Sequence, residues 1–184
     1  MFKLVTVKGN SASVTFSQRP AMAPRTTTLA YLSLGSNLGD RGAHLRAAIA
    51  RLQTAGKITA ISSLYETEPV EFTQQALFLN CAVGLATCLG PDELICRVLD
   101  IERELGRKRV PPKGPRTIDI DILLFGDLVI NSTQLTIPHP AMAERRFVLQ
   151  PLAEIAPEVV HRVLHKTVRE LLAELPPGQK VWKF

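Results

Sequence analysis

The chain has 184 residues, 46% of them hydrophobic and 21% charged, a balance that excludes a disordered polyelectrolyte and leaves room for one well-packed domain without disulfides or structural metal. No run of 18 apolar residues occurs, so no helical membrane span is expected. The net charge of +5 first suggests an anionic partner. Four of those charges, however, belong to Lys3, Lys8, Arg19 and Arg25, and residues 29–184 hold 18 basic against 17 acidic side chains. The body of the chain is nearly neutral, so neither nucleic acid nor an anionic membrane is needed as a partner.

Residues 1–28, rich in Ser, Thr and Pro and without an acid, are expected to be a dispensable N-terminal extension. An organelle leader, a short strand pair and an upstream start before Met22 stay open as readings. Residues 29–184 are expected to form a single domain. Thr28 to Leu34 runs apolar into Gly35-Ser36-Asn37, a strand and a turn. Asp40 offers an N-cap, and Leu45, Ala48, Ile49 and Leu52 recur at helical spacing until Gly56. Ile58 to Thr67 and Leu77 to Thr87 read as strands separated by a polar loop. Pro91, Asp92 and Glu93 open a helix whose apolar face is Leu94, Val98, Ile101 and Leu105, and Gly106 stops it. A basic loop follows, then a long strand over Thr117 to Phe125 and a short one at Leu128 to Asn131. Two further helical segments cover about Glu144 to Ile155 and Thr167 to Leu175. The order predicts an α+β, ferredoxin-like βαββαβ core: an antiparallel sheet with two helices on one face and extra C-terminal helices. Cys81, Cys88 and Cys96 form no C-x-x-C pair and stand in apolar surroundings, so they are expected as core thiols of a reducing cytosol.

The densest chemical signal is the segment from Gly114 to Leu124, GPRTIDIDILL. On a strand, Ile118, Ile120 and Ile122 face one side while Asp119 and Asp121 share the other, with Cα atoms about 6.5–7 Å apart. Paired carboxylates suit a hard cation such as Mg²⁺, which keeps room for substrate phosphates; by itself a D-x-D is more often a solvated strand face. Upstream, Arg107, Lys108, Arg109, Lys113 and Arg116 fall within ten residues without an acid, a charge run that would match polyphosphate oxygens. Pro111, Pro112, Gly114 and Pro115 make that loop irregular, as a lid would be. His139 sits in a Pro-His-Pro turn followed by Arg145 and Arg146. Phe78 and Asn80 share a strand face opposite Leu79, Cys81 and Val83, an arrangement that can stack and hydrogen-bond a flat heterocycle or simply pack the sheet. No G-x-x-x-x-G-K-[ST] loop occurs, and Gly35 to Asp40 reads as a capped strand-to-helix turn.

Taken together, YLSLGSNLG (31–39), SLYETEPV (63–70), FLN (78–80), the Gly114–Leu124 segment and PHP (138–140) through RRFVL (145–149) resemble the 6-hydroxymethyl-7,8-dihydropterin pyrophosphokinase family of folate biosynthesis, over about residues 29–175. The resemblance implies transfer of the pyrophosphoryl group of ATP to the pterin hydroxymethyl oxygen, with release of AMP. It implies that Asp119 and Asp121 hold two Mg²⁺ ions bridging the triphosphate, and that Arg107, Arg109, Arg116, His139 and Arg145 contact the phosphates. Glu102 and the backbone at Ile122 would seat the nucleoside. Phe78 and Phe147 would sandwich the pterin, with Asn80 and the backbone near Thr67 and Val70 reading its edge. Glu71 replaces the usual Gly after Pro-Val, and Lys113 stands where the family carries an aromatic before Gly-Pro-Arg, so lid closure is expected to rely on charged contacts. A cytoplasmic monomer is expected, with no nucleic-acid or membrane partner, organelle targeting by residues 1–28 left open, and no fused dihydropteroate synthase before Phe184. A ferredoxin-like RNA-binding module is the rival from another class; it expects exposed aromatics in an RNP arrangement, and no such motif occurs. A catalytically inactive interaction homologue is the third reading.

Overall fold

The structure, a computed structural model, describes residues 26–69, 75–107 and 114–184. In chain order the elements are β1 (Thr28–Ser36), α1 (Arg41–Leu52), β2 (Lys57–Ile61), β3 (Tyr65–Thr67), β4 (Phe78–Thr87), α2 (Pro91–Glu104) and β5 (Asp119–Phe125). There follow β6 (Ile130–Asn131), β7 (Thr136–Ile137), a 3-10 turn (Met142–Glu144), α3 (Arg146–Ile155), β8 (Val160–His161), β9 (Lys166–Thr167), α4 (Val168–Glu174) and β10 (Val181–Lys183). The main sheet runs β10-β3-β4-β1-β5, with β2 also paired to β4, and all its pairings are antiparallel. This is the expected ferredoxin-like core.

Two apolar layers hold it. On one face α1 contributes Leu45, Ala48 and Leu52, and α2 contributes Leu94, Val98 and Ile101, packed on Leu32, Leu34, Cys81, Val83, Ile120 and Ile122. Asp40 caps α1 as expected, accepting from the Ala43 N–H at 2.8 Å. On the other face α3 and α4 pack Val148, Leu149, Leu152, Val168 and Leu171 against Ala82, Leu123 and Leu124. The C-terminal helices therefore turn a one-sided sheet into a three-layer domain with an apolar core against each sheet face. Among the described residues no helix is long and apolar enough to cross a membrane.

Four sequence expectations are revised. The single strand over Ile58 to Thr67 is two strands, broken at Ser62-Ser63-Leu64. The strand near Leu128 shrinks to β6 and pairs with β7 in a separate hairpin, outside the main sheet. The helix foreseen from Glu144 starts at Arg146, after the 3-10 turn. Of the three thiols only Cys81 is a core residue, its thiol pushed up to about 12 by burial; Cys96 is exposed on the outer side of α2, and Cys88 is exposed in the turn between β4 and α2. The strand β10 was not foreseen, since three residues carry no readable period.

The break between β2 and β3 has a definite cause. Ser62 turns its backbone and hydroxyl back to β4: its N–H donates to the Ala82 carbonyl at 3.0 Å, and its Oγ accepts from the Ala82 N–H at 2.9 Å. Glu154 of α3 then collects Ser63 and Tyr65, accepting from the Ser63 N–H at 3.1 Å, Ser63 Oγ at 2.7 Å and Tyr65 OH at 2.8 Å. Lys183 of β10 stands 3.5 Å from the same carboxylate. Partial burial raises the Glu154 carboxyl, but these donors outweigh it and leave the group below the ordinary glutamate range. A depressed carboxylate contributes stability that is present above its unfolded value and is lost as pH falls through its lower folded value. Glu154→Ala should therefore lower unfolding free energy in urea by about 1–3 kcal/mol at pH 7, with the gap to the parent narrowing as the pH is taken below the glutamate range.

Candidate active site

Strand register builds the site. Asp119 on β5, Gly35 on β1 and Asn80 on β4 lie in one row across the three central strands, and Asp121, Ser33 and Ala82 lie in the next row but one. Because side chains alternate, Asp119, Asp121, Ser33, Asn80 and Phe78 all rise from one face at the same end of the sheet. Gly35 is required there: a Cβ on it would meet Asn80 Oδ1 at 2.8 Å. Between Tyr31 and Leu32 the β1–β5 register slips by one residue, leaving Leu123 as a bulge. Its carbonyl accepts the His139 N–H at 2.9 Å, which anchors the Pro138-His139-Pro140 turn beside the carboxylate strand. The 3-10 turn and the start of α3 then bring in Arg145 and Phe147.

These residues line one cavity of about 300 Å³. Of the site residues expected from sequence, Thr67, Phe78, Asn80, Arg107, Arg116, Asp119, Asp121, His139, Arg145 and Phe147 line it. Ile122 does not: its side chain belongs to the core beneath. Glu102 is also one layer down, 3% exposed, where it accepts the Ile120 N–H at 2.8 Å and pairs with Arg107. Val70, Arg109, Glu71 and Lys113 lie outside the described residues. The cavity also takes in Ser33, Gly35, Glu68, Pro69 and Gln75, which sequence reasoning missed. Ser33 and Gly35 could have been found only from the β1–β5 register.

The two halves of the cavity differ in chemistry. At one end Arg107 Nη2 lies 2.8 Å from Asp119 Oδ1 and Arg116 Nη1 lies 2.7 Å from Asp119 Oδ2. Asp121, among the described residues, feels the Arg145 and Arg116 guanidiniums and the His139 imidazole only at longer range; burial, then the adjacent Asp119 charge, push its carboxyl above the ordinary range. Burial likewise lowers His139 and outweighs the pull of Asp121. His139 Nδ1 accepts the Ala141 N–H at 3.3 Å, which leaves Nε2–H as the donor a ligand can use. At the other end Asn80 Nδ2 donates to Thr67 Oγ1 at 2.8 Å beside the Phe78 and Phe147 rings. The Arg116 guanidinium stands 5.7 Å from the Phe78 ring centre and Arg145 the same distance from that of Phe147, so each aromatic meets the charged half through a cation–π contact.

Asn37 joins the edges. Buried at 3% exposure, it donates through Nδ2 to Gln75 Oε1 at 3.0 Å and accepts the Arg116 N–H at 2.8 Å. Arg41 donates to the Leu77 carbonyl at 2.7 Å and pairs with Glu66 at 2.8 Å, which fixes the entry to β4 just before Phe78.

Two adjacent carboxylates with hard oxygen donors, one of them, Asp121, destabilised by burial and by its neighbour and without a direct ion pair among the described residues, fit a divalent cation. Among the described residues there is no cluster of three or more His, Cys, Asp or Glu side chains able to cage a metal. Two carboxylates plus phosphate and water oxygens are what Mg²⁺ takes, and not what a structural zinc or calcium site needs.

The family model for 7,8-dihydro-6-hydroxymethylpterin-pyrophosphokinase (HPPK) matches residues 31–157. The chain is 49% identical over 157 residues to the 2-amino-4-hydroxy-6-hydroxymethyldihydropteridine pyrophosphokinase of Bacillus subtilis, covering 84% of this chain and 90% of that one. It is 47% identical over 153 residues to the same-named protein of Methylorubrum extorquens, covering 82% and 96%. Against the folic acid synthesis protein FOL1 of Dictyostelium discoideum the identity is 40% over 83% of this chain, but the chain spans only 23% of that longer protein. In fold it matches a crystal structure of Plasmodium falciparum HPPK-DHPS with a TM-score of 0.70 at 21% identity, over 83% of this chain and 45% of that one. The chain belongs to the 7,8-dihydro-6-hydroxymethylpterin-pyrophosphokinase family.

Proposed function

We propose that this chain catalyses Mg²⁺-dependent transfer of the pyrophosphoryl group of ATP to 6-hydroxymethyl-7,8-dihydropterin, giving AMP and 6-hydroxymethyldihydropterin diphosphate in folate biosynthesis. The observation that carries the reading is the division of one cavity into a carboxylate–arginine end and an aromatic–amide end. The reaction forms a bond from the hydroxymethyl oxygen to the β-phosphorus, breaks the bond from that phosphorus to the bridging oxygen that leaves with AMP, and releases the hydroxyl proton.

Asp119 and Asp121 are the residues to hold the metal, two ions in this reading. Bound there with the triphosphate, Mg²⁺ supplies charge neutralisation and holds the pyrophosphoryl group for in-line attack. Arg107 and Arg116, which pair with Asp119, would contact the phosphate oxygens, and Asp119 with Asp121 would hold the metal. Arg145 and the His139 Nε2–H add donors to the phosphates, with Arg109 completing the basic set. Glu102 acts through Arg107, which it grips from the buried side; with the Ile122 backbone it forms the floor on the nucleoside side. Phe78 and Phe147 stack the pterin, and Asn80 and the backbone near Thr67 and Val70 read its edge. Little covalent chemistry falls to the protein, so positioning and electrostatics carry the rate. In this reading the enzyme is a cytoplasmic monomer whose single domain is residues 29–184.

Incubation with ATP, hydroxymethyldihydropterin and Mg²⁺ should release AMP and pyrophosphorylated pterin in equal amounts, and EDTA should stop both; absence of product in complete mixtures refutes the reading. Asp121→Asn separates site from scaffold. It removes a buried charge and its repulsion with Asp119, so the melting temperature should stay level or rise, while turnover falls by about 100-fold or more. Gly35→Ala places a Cβ against Asn80 Oδ1, and it should weaken pterin binding measured by fluorescence or calorimetry more than it weakens nucleotide binding.

A further inference from the structure

The last ten residues lie outside the stretch matched by the family model, which ends at residue 157, yet they touch the cavity wall at three consecutive positions. Gln179 Oε1 accepts the Phe147 N–H at 3.1 Å. Lys180 Nζ stands 3.8 Å from Glu68. Val181 pairs with Thr67 in the β10–β3 ladder. Phe147, Glu68 and Thr67 all line the cavity. The tail reaches them because α4 ends at Glu174, Pro176 and Pro177 restrict the chain, and Gly178 takes a φ of +140° that a side chain would resist.

The contact at Phe147 has a particular reason to exist. A helix begins with N–H groups that have no intrahelical acceptor, and the residue at the N-cap ordinarily supplies one from its side chain. In α3 the N-cap is Arg145, whose side chain makes no capping hydrogen bond. It has no acceptor to offer, and its guanidinium is turned over the Phe147 ring on the cavity wall. Function occupies the capping position, and the orphan N–H of Phe147 is satisfied from 32 residues further on. A second tie reinforces the first: Arg146 Nη2 donates to the Leu175 carbonyl at 3.0 Å, at the other end of the same tail segment. The Lys180–Glu68 pair is exposed and adds little.

We propose that Gln179 is a positioning residue for the reaction: it caps α3 in place of Arg145 and so fixes the Phe147 ring and the Arg145 guanidinium at the wall of the cavity. The proposal rests on the pterin-stacking role given to Phe147 above. Gln179 touches no reacting atom; it acts through the first turn of α3.

The test uses the full chain with Gln179→Ala and Gln179→Glu, the latter keeping an oxygen acceptor at a helix N-terminus, where negative charge is favoured. For Gln179→Ala the amide hydrogen of Phe147 should exchange faster, KM for the pterin should rise by about fivefold, in line with the loss of a helix cap, and kcat should change less than twofold. Gln179→Glu should restore both the exchange rate and KM. Faster exchange at Phe147 with an unchanged pterin KM overturns the proposal, because the cap would then be structural only. An unchanged exchange rate overturns it too, because no cap would have been lost. If the parent protein forms no AMP and binds no pterin, the functional reading itself fails, an outcome seen before any variant is made.

Discussion

Two negative charges side by side on a strand are unfavourable unless something positive stands between or around them, and this fold is arranged to place Asp119 and Asp121 there. The β5 side chains that alternate with them, Ile120 and Ile122, are anchored in the core under α1 and α2, so the carboxylates cannot rotate away without pulling apart the best-packed layer of the molecule. Burial and mutual repulsion raise Asp121, while two arginines satisfy Asp119. The site is poised by this asymmetry. One carboxylate is already paired, the other is short of positive charge, and the arginines that pair the first are suited to leave it for phosphate. A ligand that brings both Mg²⁺ and phosphate resolves all of these at once; either alone leaves a charge of one sign uncompensated.

The far side of the sheet matters as much. The bulge at Leu123 flips the parity of β5, so that Leu123 and Leu124 both enter the second core beneath α3 and α4. The same irregularity frees the Leu123 carbonyl to hold the His139 turn. A regular ladder would have spent that carbonyl on β1. From this turn the chain passes through the 3-10 segment into α3, whose packing on Ala82 sets where Arg145 and Phe147 emerge. The C-terminal helices therefore act as more than cover for an apolar sheet face: they carry a wall of the cavity and lead into the tail whose Gln179 accepts the Phe147 N–H at the start of α3.

Much of this was legible in the sequence because it is short-range. The alternation in Ile118 to Ile122 put both carboxylates on one face, and Phe78 and Asn80 opposed Leu79 and Cys81 by the same rule; no knowledge of partners was needed. The basic run after α2 and the Pro-His-Pro turn were visible as composition. What stayed hidden depends on which strand meets which. Ser33 and Gly35 became site residues only through their register with Asp121 and Asp119, and Gly35 read as a turn glycine although it is a strand residue kept bare for Asn80. The break at Ser62 follows from hydrogen bonds to Ala82 and to Glu154, 91 residues away from Ser63. Cys88 and Cys96 read as core because their neighbours are apolar, while Cys96 faces outward from α2 and Cys88 stands in the exposed turn after β4.

Net charge is the weakest guide of all here. The formal excess of +5 sits almost entirely in residues 1–28, whereas the cavity holds a local sum in which Arg107 and Arg116 pair directly with Asp119 and Arg145 and His139 stand farther from Asp121. Bringing a triphosphate into that sum without a cation would strip Asp119 of its arginines and leave two carboxylates facing phosphate oxygens, an arrangement that Coulomb repulsion in a partly buried cavity disfavours. Bringing in the cation with the triphosphate lets every charge find an opposite. On the proposed function, selectivity for a magnesium-bound polyphosphate over a bare anion such as a nucleic-acid backbone would follow from the acids in the site as much as from its bases.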